Sequence, residues 1–342
     1  MYTYSRQKIS KKDVKNVVKQ INSGYLTQGS KTKEFEEKLK NICGSKYCLV
    51  VNSATSALIN VFQSLSLKKN DMVWTTSNTF VSTVNSIKIN NFKHQLVDIN
   101  LDDFNLDLIK LEKKLKESKI KNKLPQAIVI VHFGGAPENL AKIFELKKKY
   151  NFKIVEDASH ALGSKYKNNM IGSCKYTDAC IFSFHPVKTI TSAEGGAILT
   201  NNHDLYQKAK CLRTHGIIDS KSLPSKEPWL YDQKYLGYNF RMSEIHAALG
   251  LSQLNNLDKF ISRRNYLMDI YFNLLKDVPL KFQKIRRGDL SSYHLNCILI
   301  DMNNLKMTKM EMYNYFLKKR IRLQVHYIPI YNHSYYKRQF NK

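Results

Sequence analysis

Residues 152–200 read FKIVEDASHALGSKYKNNMIGSCKYTDACIFSFHPVKTITSAEGGAILT, and the acid Asp157, with Glu156 just before it, ends a run that begins with the apolar Ile154 and Val155. One lysine, Lys188, follows shortly after a second apolar run at 179–184. Both runs are short, apolar and bounded by polar residues, the pattern of buried parallel strands. Ligands sit at the strand ends of such sheets. An acid and a lysine brought to one sheet edge suit a ligand with a cationic ring and a carbonyl. Pyridoxal 5′-phosphate has both: an aspartate keeps the pyridine nitrogen charged and a lysine forms a Schiff base. In a chain with 55 Lys plus Arg, a single lysine is ordinarily solvated. The setting of Lys188 argues otherwise, because Pro186 stops the strand and Gly195 and Gly196 permit close backbone approach before the run at 197–199.

The segments VEDASHALGS (155–164) and FSFHPVKTITSAEGGA (182–197) closely resemble the DegT/DnrJ/EryC1/StrS family of pyridoxal-phosphate sugar aminotransferases. Further pieces recur in order: YLTQG at 25–29, VNSATSAL at 51–58, GYNFRMSEIHAALGLSQL at 237–254 and QVHYIPIY at 324–331. Together they span nearly the whole chain. The combination is most similar to the branch that aminates C4 of a keto sugar in pseudaminic acid biosynthesis.

The resemblance implies an α/β fold of the aspartate-aminotransferase type, PLP-dependent transferase fold type I. It has a large, mostly parallel sheet domain and a small α+β C-terminal domain. Here these map to residues 10–243 and 244–342, with 1–9 as an arm. The small domain reads as truncated, since the chain stops at Lys342 where the family continues with further strand and helix.

The length of 342 residues allows one large domain with a smaller one appended, and 43% hydrophobic with 24% charged residues describes an ordinary globular protein. The net charge of +27 raises the alternative of a basic, non-catalytic nucleic-acid binder. The lysines are scattered over helix faces such as 110–121 and 147–149, however, and no nucleic-acid-binding motif accompanies them, so no nucleic-acid partner is expected. The same field would attract an anionic nucleotide sugar. Cys43, Cys48, Cys174, Cys180, Cys211 and Cys297 show no metal-ligand spacing, so reduced thiols and no metal are expected. No apolar leader and no run of membrane-spanning length is present, which points to a cytoplasmic protein without a membrane partner.

Taken in order, residues 9–21 space Ile9, Val14, Val17, Val18 and Ile21 at helical intervals after the candidate cap Ser10. In the resembled family the loop after Gly24 reaches substrate, which makes Tyr25, Leu26, Thr27 and Gln28 candidates, with Tyr4 beside them. A strand at 47–51 runs into small hydroxyl residues that open a helix. On pattern alone an N-cap is the commoner use of such residues; the resemblance turns the reading to a phosphate held by Ala54, Thr55 and Ser56 at the helix N-terminus. The strand near 73–76 leads to Phe80, which in the family stacks on the pyridine ring. Strands near 95–97 and 127–132 alternate with helices near 107–118 and 138–150, which predicts parallel pairing with right-handed crossovers. His132 reads as a buried, hydrogen-bonded histidine.

The resemblance gives Asp157 to the pyridine nitrogen, His160 to the side of the ring and its phenolic oxygen, Ser183 to the phosphate and His185 to the substrate. The loop 220–233 is a candidate cover or subunit contact. Asn239 is implied to reach the cofactor phosphate of a neighbouring subunit, hence a homodimer with shared active sites. Residues 322–331 read as a packed strand, while the motif match makes Gln324, Val325, His326 and Tyr327 substrate candidates. The implied reaction moves an amino group from L-glutamate to C4 of a UDP-linked 4-keto-6-deoxy-N-acetylhexosamine, with Lys188 catalytic. Sister enzymes of legionaminate, bacillosamine or perosamine type remain the alternatives.

Overall fold

The computed structural model describes residues 1–218 and 227–340. Seven strands form one sheet: β1 (Tyr47–Val51), β2 (Met72–Thr76), β3 (Lys93–Val97), β4 (Ala127–Val131), β5 (Lys153–Asp157), β6 (Ala179–Ser183) and β7 (Gly196–Thr200). Their order is β1-β7-β6-β5-β4-β2-β3, parallel throughout except that β7 runs antiparallel to both of its neighbours. The expected large, mostly parallel sheet is therefore present. Parallel strands covered on both faces must be apolar on both, which is why β4 reads AIVIV and is buried along its whole length.

Alternation within the strands sorts these side chains into two cores. Ile128, Ile130, Ile154 and Phe182 face Phe35, Leu39, Leu111, Ile143 and Leu146, carried by helices α2 (Ser30–Cys43), α5 (Leu108–Ile120) and α6 (Leu140–Tyr150). Val129, Val155 and Ile181 face Leu58, Val61, Phe62, Ile87 and Ala209 from α3 (Ala54–Ser64), α4 (Val81–Ile89) and α7 (His203–Leu212). Each buried Val, Leu, Ile or Phe among these contributes about 1.5–3 kcal/mol. All six cysteines are free thiols.

Helix α1 (Lys11–Ile21) starts at the expected cap, Ser10, whose hydroxyl accepts the Asp13 N–H while Asp13 Oδ2 accepts the Ser10 N–H in return. Its orientation is the reverse of a usual amphipathic helix. Val14, Val18 and Ile21 are about half exposed, whereas Asp13 and Gln20 are buried. Polar pairing with α8 (Glu244–Leu254) explains this: Gln253 Nε2 donates to Asp13 Oδ2 at 2.8 Å, and Asn16 Nδ2 donates to Ser252 Oγ at 2.9 Å. The expected boundary at residue 244 falls ahead of α8, yet Ala247 and Leu254 of this helix join the core of the large sheet.

Helix α9 (Leu257–Leu274) leads to a two-stranded antiparallel pair, Leu280–Phe282 with Ile298–Ile300, and then to α10 (Lys309–Lys318) and α11 (Ser334–Phe340). The strand expected over 322–331 is not formed. The Tyr327 N–H goes to Asn78 Oδ1 at 2.9 Å, the Ile330 N–H to Ser77 O at 3.0 Å, and Ile330 is buried with Val84 and Tyr336. With Ile330 anchored in that pocket, the chain makes a 3-10 turn at Ile330–Asn332 in place of an extended ladder. Of the expected loop 220–233, residues 220–226 lie outside the described residues; Asp232 and Gln233 pair with Ile218 and Ile217. Among the described residues no helix is long and apolar enough to cross a membrane, and no group of three or more His, Cys, Asp or Glu could hold a metal ion.

Glu138, at the start of α6, is buried, and burial beside Asp103 pushes its carboxyl up to about 8. Because the folded value exceeds the unfolded one, its favourable contribution is complete below the unfolded value of about 4.5 and is lost as pH rises through 8. The melting temperature of Glu138→Gln relative to the parent should therefore rise steadily between pH 5 and pH 8 and level off above. A pH-independent difference would show that Glu138 is ionised in the fold.

Candidate active site

Asp157 is the last residue of β5, in register with Val131 of β4 and Ile181 of β6. Alternation sends it and Glu156 to opposite sides of the sheet. Glu156 accepts from His132 Nε2 at 2.8 Å and from the Thr177 hydroxyl. The Glu138 N–H occupies His132 Nδ1, so the ring hydrogen lies on Nε2. His132 is thus a buried structural histidine, as its sequence context suggests. The Asp157 carboxylate accepts from Thr83 Oγ1 (2.8 Å), Ser159 Oγ (2.6 Å) and the Ser159 N–H (3.2 Å). A carboxylate has about four acceptor positions, so one remains for a ligand N–H.

Lys188 stands on the turn after β6, its N–H bonded to His185 O at 2.9 Å. Its half-buried amine is pushed down to about 8 by burial, against the opposing pull of the Asp157 carboxylate. The return from this turn requires glycine at the head of β7. A Cβ on Gly196 would lie 2.6 Å from both Ser53 C and Ala54 N, so the strand start rests directly on the N-terminus of α3.

At that N-terminus Ser53 Oγ takes the Ser56 N–H (3.1 Å), and the Ser56 hydroxyl turns back onto Asn52 Oδ1 and Ser53 O. Ser56 therefore serves the cap, the use that pattern alone suggests. The first-turn N–H groups of Ala54 and Thr55 have no intrahelical partner, an arrangement that suits an anion. Ser183 ends β6, its hydroxyl 3.5 Å from the His185 amide nitrogen. Asn239 is exposed and lies beside the same turn, its carbonyl accepting from Asn52 Nδ2 at 3.3 Å.

An aromatic wall closes the other side. Phe80 caps α4 with 56% of its surface exposed, 5.9 Å between ring centroids from Tyr327. Tyr327 Oη lies 3.1 Å from His160 Nε2, and the His326 ring is 5.2 Å from that of Tyr4. The N-terminal arm ties these parts together. Tyr2 pairs with Ile321, while Ser5 Oγ donates to Val187 O at 2.7 Å. The structure thus brings Lys188, Asp157, His160, Ser183, Ala54, Thr55, Phe80, Tyr327, His326 and Tyr4 to one region. Tyr25, Leu26, Thr27, Gln28, His185, Gln324 and Val325 are exposed, and no described side-chain contact joins them to Lys188 or Asp157. Thr83, Ser159, Gly134 and His294 belong to the site without having been singled out in the sequence. Only Ser159 left a signal there, a hydroxyl two residues after the acid, as in an Asx-type turn.

A buried carboxylate with one acceptor left, an amine of lowered pKa, a helix N-terminus and an exposed aromatic ring make a donor set that fits pyridoxal phosphate. Relatives carry the same chemistry. At 41% identity over 340 residues (99% of this chain, 86% of the relative), the chain is similar to the UDP-4-amino-4,6-dideoxy-N-acetyl-beta-L-altrosamine transaminase of Campylobacter jejuni subsp. jejuni serotype O:23/36 (strain 81-176). Its fold matches that of Helicobacter pylori PseC, an aminotransferase involved in the biosynthesis of pseudoaminic acid, with a TM-score of 0.90 and 35% identity over 100% of this chain and 88% of the other. The PLP-form of the putative sugar aminotransferase Spr1654 from Streptococcus pneumoniae matches with a TM-score of 0.85 and 28% identity, covering 98% of this chain and 87% of the other. The family model matches residues 7–342: the chain belongs to the DegT/DnrJ/EryC1/StrS aminotransferase family.

Proposed function

We propose that the protein is a pyridoxal-5′-phosphate-dependent nucleotide-sugar aminotransferase that moves the amino group of L-glutamate to C4 of a UDP-linked 4-keto-6-deoxy-N-acetylhexosamine. This is the UDP-4-amino-4,6-dideoxy-N-acetyl-beta-L-altrosamine transaminase reaction of pseudaminic acid synthesis. The observation that carries the reading is Lys188 of lowered pKa within electrostatic reach of the buried, hydroxyl-braced Asp157. Relatives at 36–41% identity that carry this activity support the choice of sugar.

When bound, pyridoxal phosphate supplies a carbonyl that takes up and hands on the amino group, and a ring that draws electrons from the carbon being deprotonated. Asp157 would hold the ring nitrogen through its remaining acceptor position. The N–H groups of Ala54 and Thr55, with the Ser183 hydroxyl, would hold the phosphate, and the exposed ring of Phe80 would offer an apolar contact. Lys188 would take the proton from the α-carbon of the donor and deliver it to the former carbonyl carbon of the cofactor, and in the second half would carry a proton from that carbon to C4 of the sugar. With a value of about 8, roughly a tenth of its amine is neutral at pH 7, against under about a thousandth for an ordinary lysine.

A cavity of about 280 Å³ between the arm, the Lys188 turn and α9 is lined by Arg6, Lys8, Arg263 and Arg264. Those four cations suit the diphosphate of the sugar nucleotide. A homodimer is supported by the half-exposed apolar stripe of Val14, Val18 and Ile21 beside exposed Tyr25 and Leu26, and by exposed Asn239 next to the phosphate-holding turn.

Supplied with glutamate and a panel of 4-keto nucleotide sugars, the protein should yield a 4-amino product, read by mass and stereochemistry, from UDP-2-acetamido-2,6-dideoxy-L-arabino-hex-4-ulose at least about tenfold faster than from substrates of legionaminate, bacillosamine or perosamine type. Preference for one of those sugars would reassign the pathway and leave the chemistry in place.

A further inference from the structure

His160 and Tyr327 are far apart in sequence and meet with Tyr327 Oη 3.1 Å from His160 Nε2. Which of the two gives its hydrogen is decided on the far side of the imidazole. There the Gly134 N–H donates to Nδ1 at 3.3 Å, so Nδ1 carries a lone pair. The ring is neutral, because burial, with Lys188 and His326 nearby, pushes its protonation well below the ordinary range. A neutral imidazole with a bare Nδ1 has its hydrogen on Nε2. Tyr327 oxygen therefore accepts that hydrogen.

The Gly134 N–H is aimed by a turn that only glycine fits. Its φ is +63°, and a Cβ there would stand 2.6 Å from Gln283 Oε1. Gln283 is fixed in turn, donating to Phe133 O at 2.9 Å and to Asp103 O at 2.7 Å. His294 packs against the imidazole, 4.5 Å between centroids, and burial holds it neutral as well. Tyr327 is gripped between Phe80 and Phe133, with centroids 5.9 and 6.0 Å away, and its backbone N–H is tied to Asn78. Burial, reinforced by the Asp157 carboxylate, pushes the phenol well above its usual range, so it keeps its hydrogen. With its oxygen already accepting from His160, that hydrogen is left to give.

We propose that Tyr327 donates its hydroxyl hydrogen to an electron-rich oxygen of the ligand held between Lys188 and Asp157, and that His160 is a positioning residue that aims it there. The proposal rests on the pyridoxal-phosphate reading of the site. Two ligand oxygens have the required chemistry: the phenolic oxygen of the cofactor and the keto oxygen of the sugar.

Nitrogen-15 spectra of the histidine rings in cofactor-free protein supply the first test. His160 should show a neutral ring with its hydrogen on Nε2, and Tyr327→Phe should shift that nitrogen. A hydrogen on Nδ1 would overturn the proposal, since Tyr327 would then be donating to His160. The second test compares binding of pyridoxal phosphate, and of its analogue lacking the ring hydroxyl, to parent and Tyr327→Phe protein with equal melting temperatures. If the cofactor oxygen is the acceptor, the variant loses about ten- to a hundredfold in affinity for pyridoxal phosphate and none for the analogue. If the keto oxygen is the acceptor, both affinities hold and only the sugar half-reaction slows, by a similar factor. No change in any of these would also overturn it. A parent protein that binds no pyridoxal phosphate would instead defeat the reading of the site, while the ring spectra would still report the His160–Tyr327 geometry.

Discussion

Lys188→Ala should lose amino transfer by at least about 10⁴-fold with the fold intact. In the proposed reaction the amine moves the proton at the substrate carbon, and a positioned acid–base group contributes about 10²–10⁴ before any loss of cofactor attachment is counted. Stability should not fall. Burial disfavours the charged amine, as its lowered value near 8 shows, so removing it relieves a desolvation cost that Asp157 only partly offsets. Single-turnover rates and thermal melts on the same preparation separate the two effects. Turnover within about a hundredfold of the parent would remove Lys188 from the catalytic role.

Asp157→Asn is the second large effect, a loss of about 10²–10³ in turnover, or roughly 3–4 kcal/mol of transition-state stabilisation. Asparagine keeps the shape, and its oxygen can still accept from Ser159, but the NH2 that replaces Oδ2 cannot accept from Thr83. The substitution removes the negative charge that would hold a proton on the ring nitrogen. It also removes the attraction that raises the Lys188 value. In this variant the pH at which cofactor loads onto the protein should move lower, in the direction opposite to that of a general structural defect. A variant within about threefold of the parent, with an unmoved pH profile, would show that the carboxylate does not face the ring.

The central pair was legible because sheet geometry exposes it. Buried parallel strands are continuous apolar runs, and Asp157, the last residue of β5, and the lysine on the turn after β6 fall at the edge where ligands bind. The glycines at 195 and 196 were readable for the same reason, since a backbone contact like that of Gly196 with Ser53 and Ala54 excludes any side chain. What surrounds the pair was less legible. Thr83, Gly134 and His294 reach the site from separate elements, and nothing local in the sequence marks a threonine as the brace of a distant aspartate.

Periodicity also failed where pairing overrode it. In α1 it gave the helix, but the partners in α8 decided that Asp13 and Gln20 face inward and Val14 and Val18 outward. At 322–331 the strand-like alternation lost to the anchoring of Ile330 beside Val84 and Tyr336. The exposed loop residues Tyr25 to Gln28 entered through family resemblance alone, and this single chain gives them no contact with Lys188.

The most direct measurement is the visible absorption of the purified protein mixed with pyridoxal phosphate, before and after addition of L-glutamate, with Lys188→Ala alongside. The parent should develop a yellow band that survives desalting and bleaches with glutamate, and the variant should develop no such band. A parent protein that takes up no chromophore, or a band that persists in Lys188→Ala and ignores glutamate, would contradict the assignment of the Lys188–Asp157 site as an aminotransferase centre.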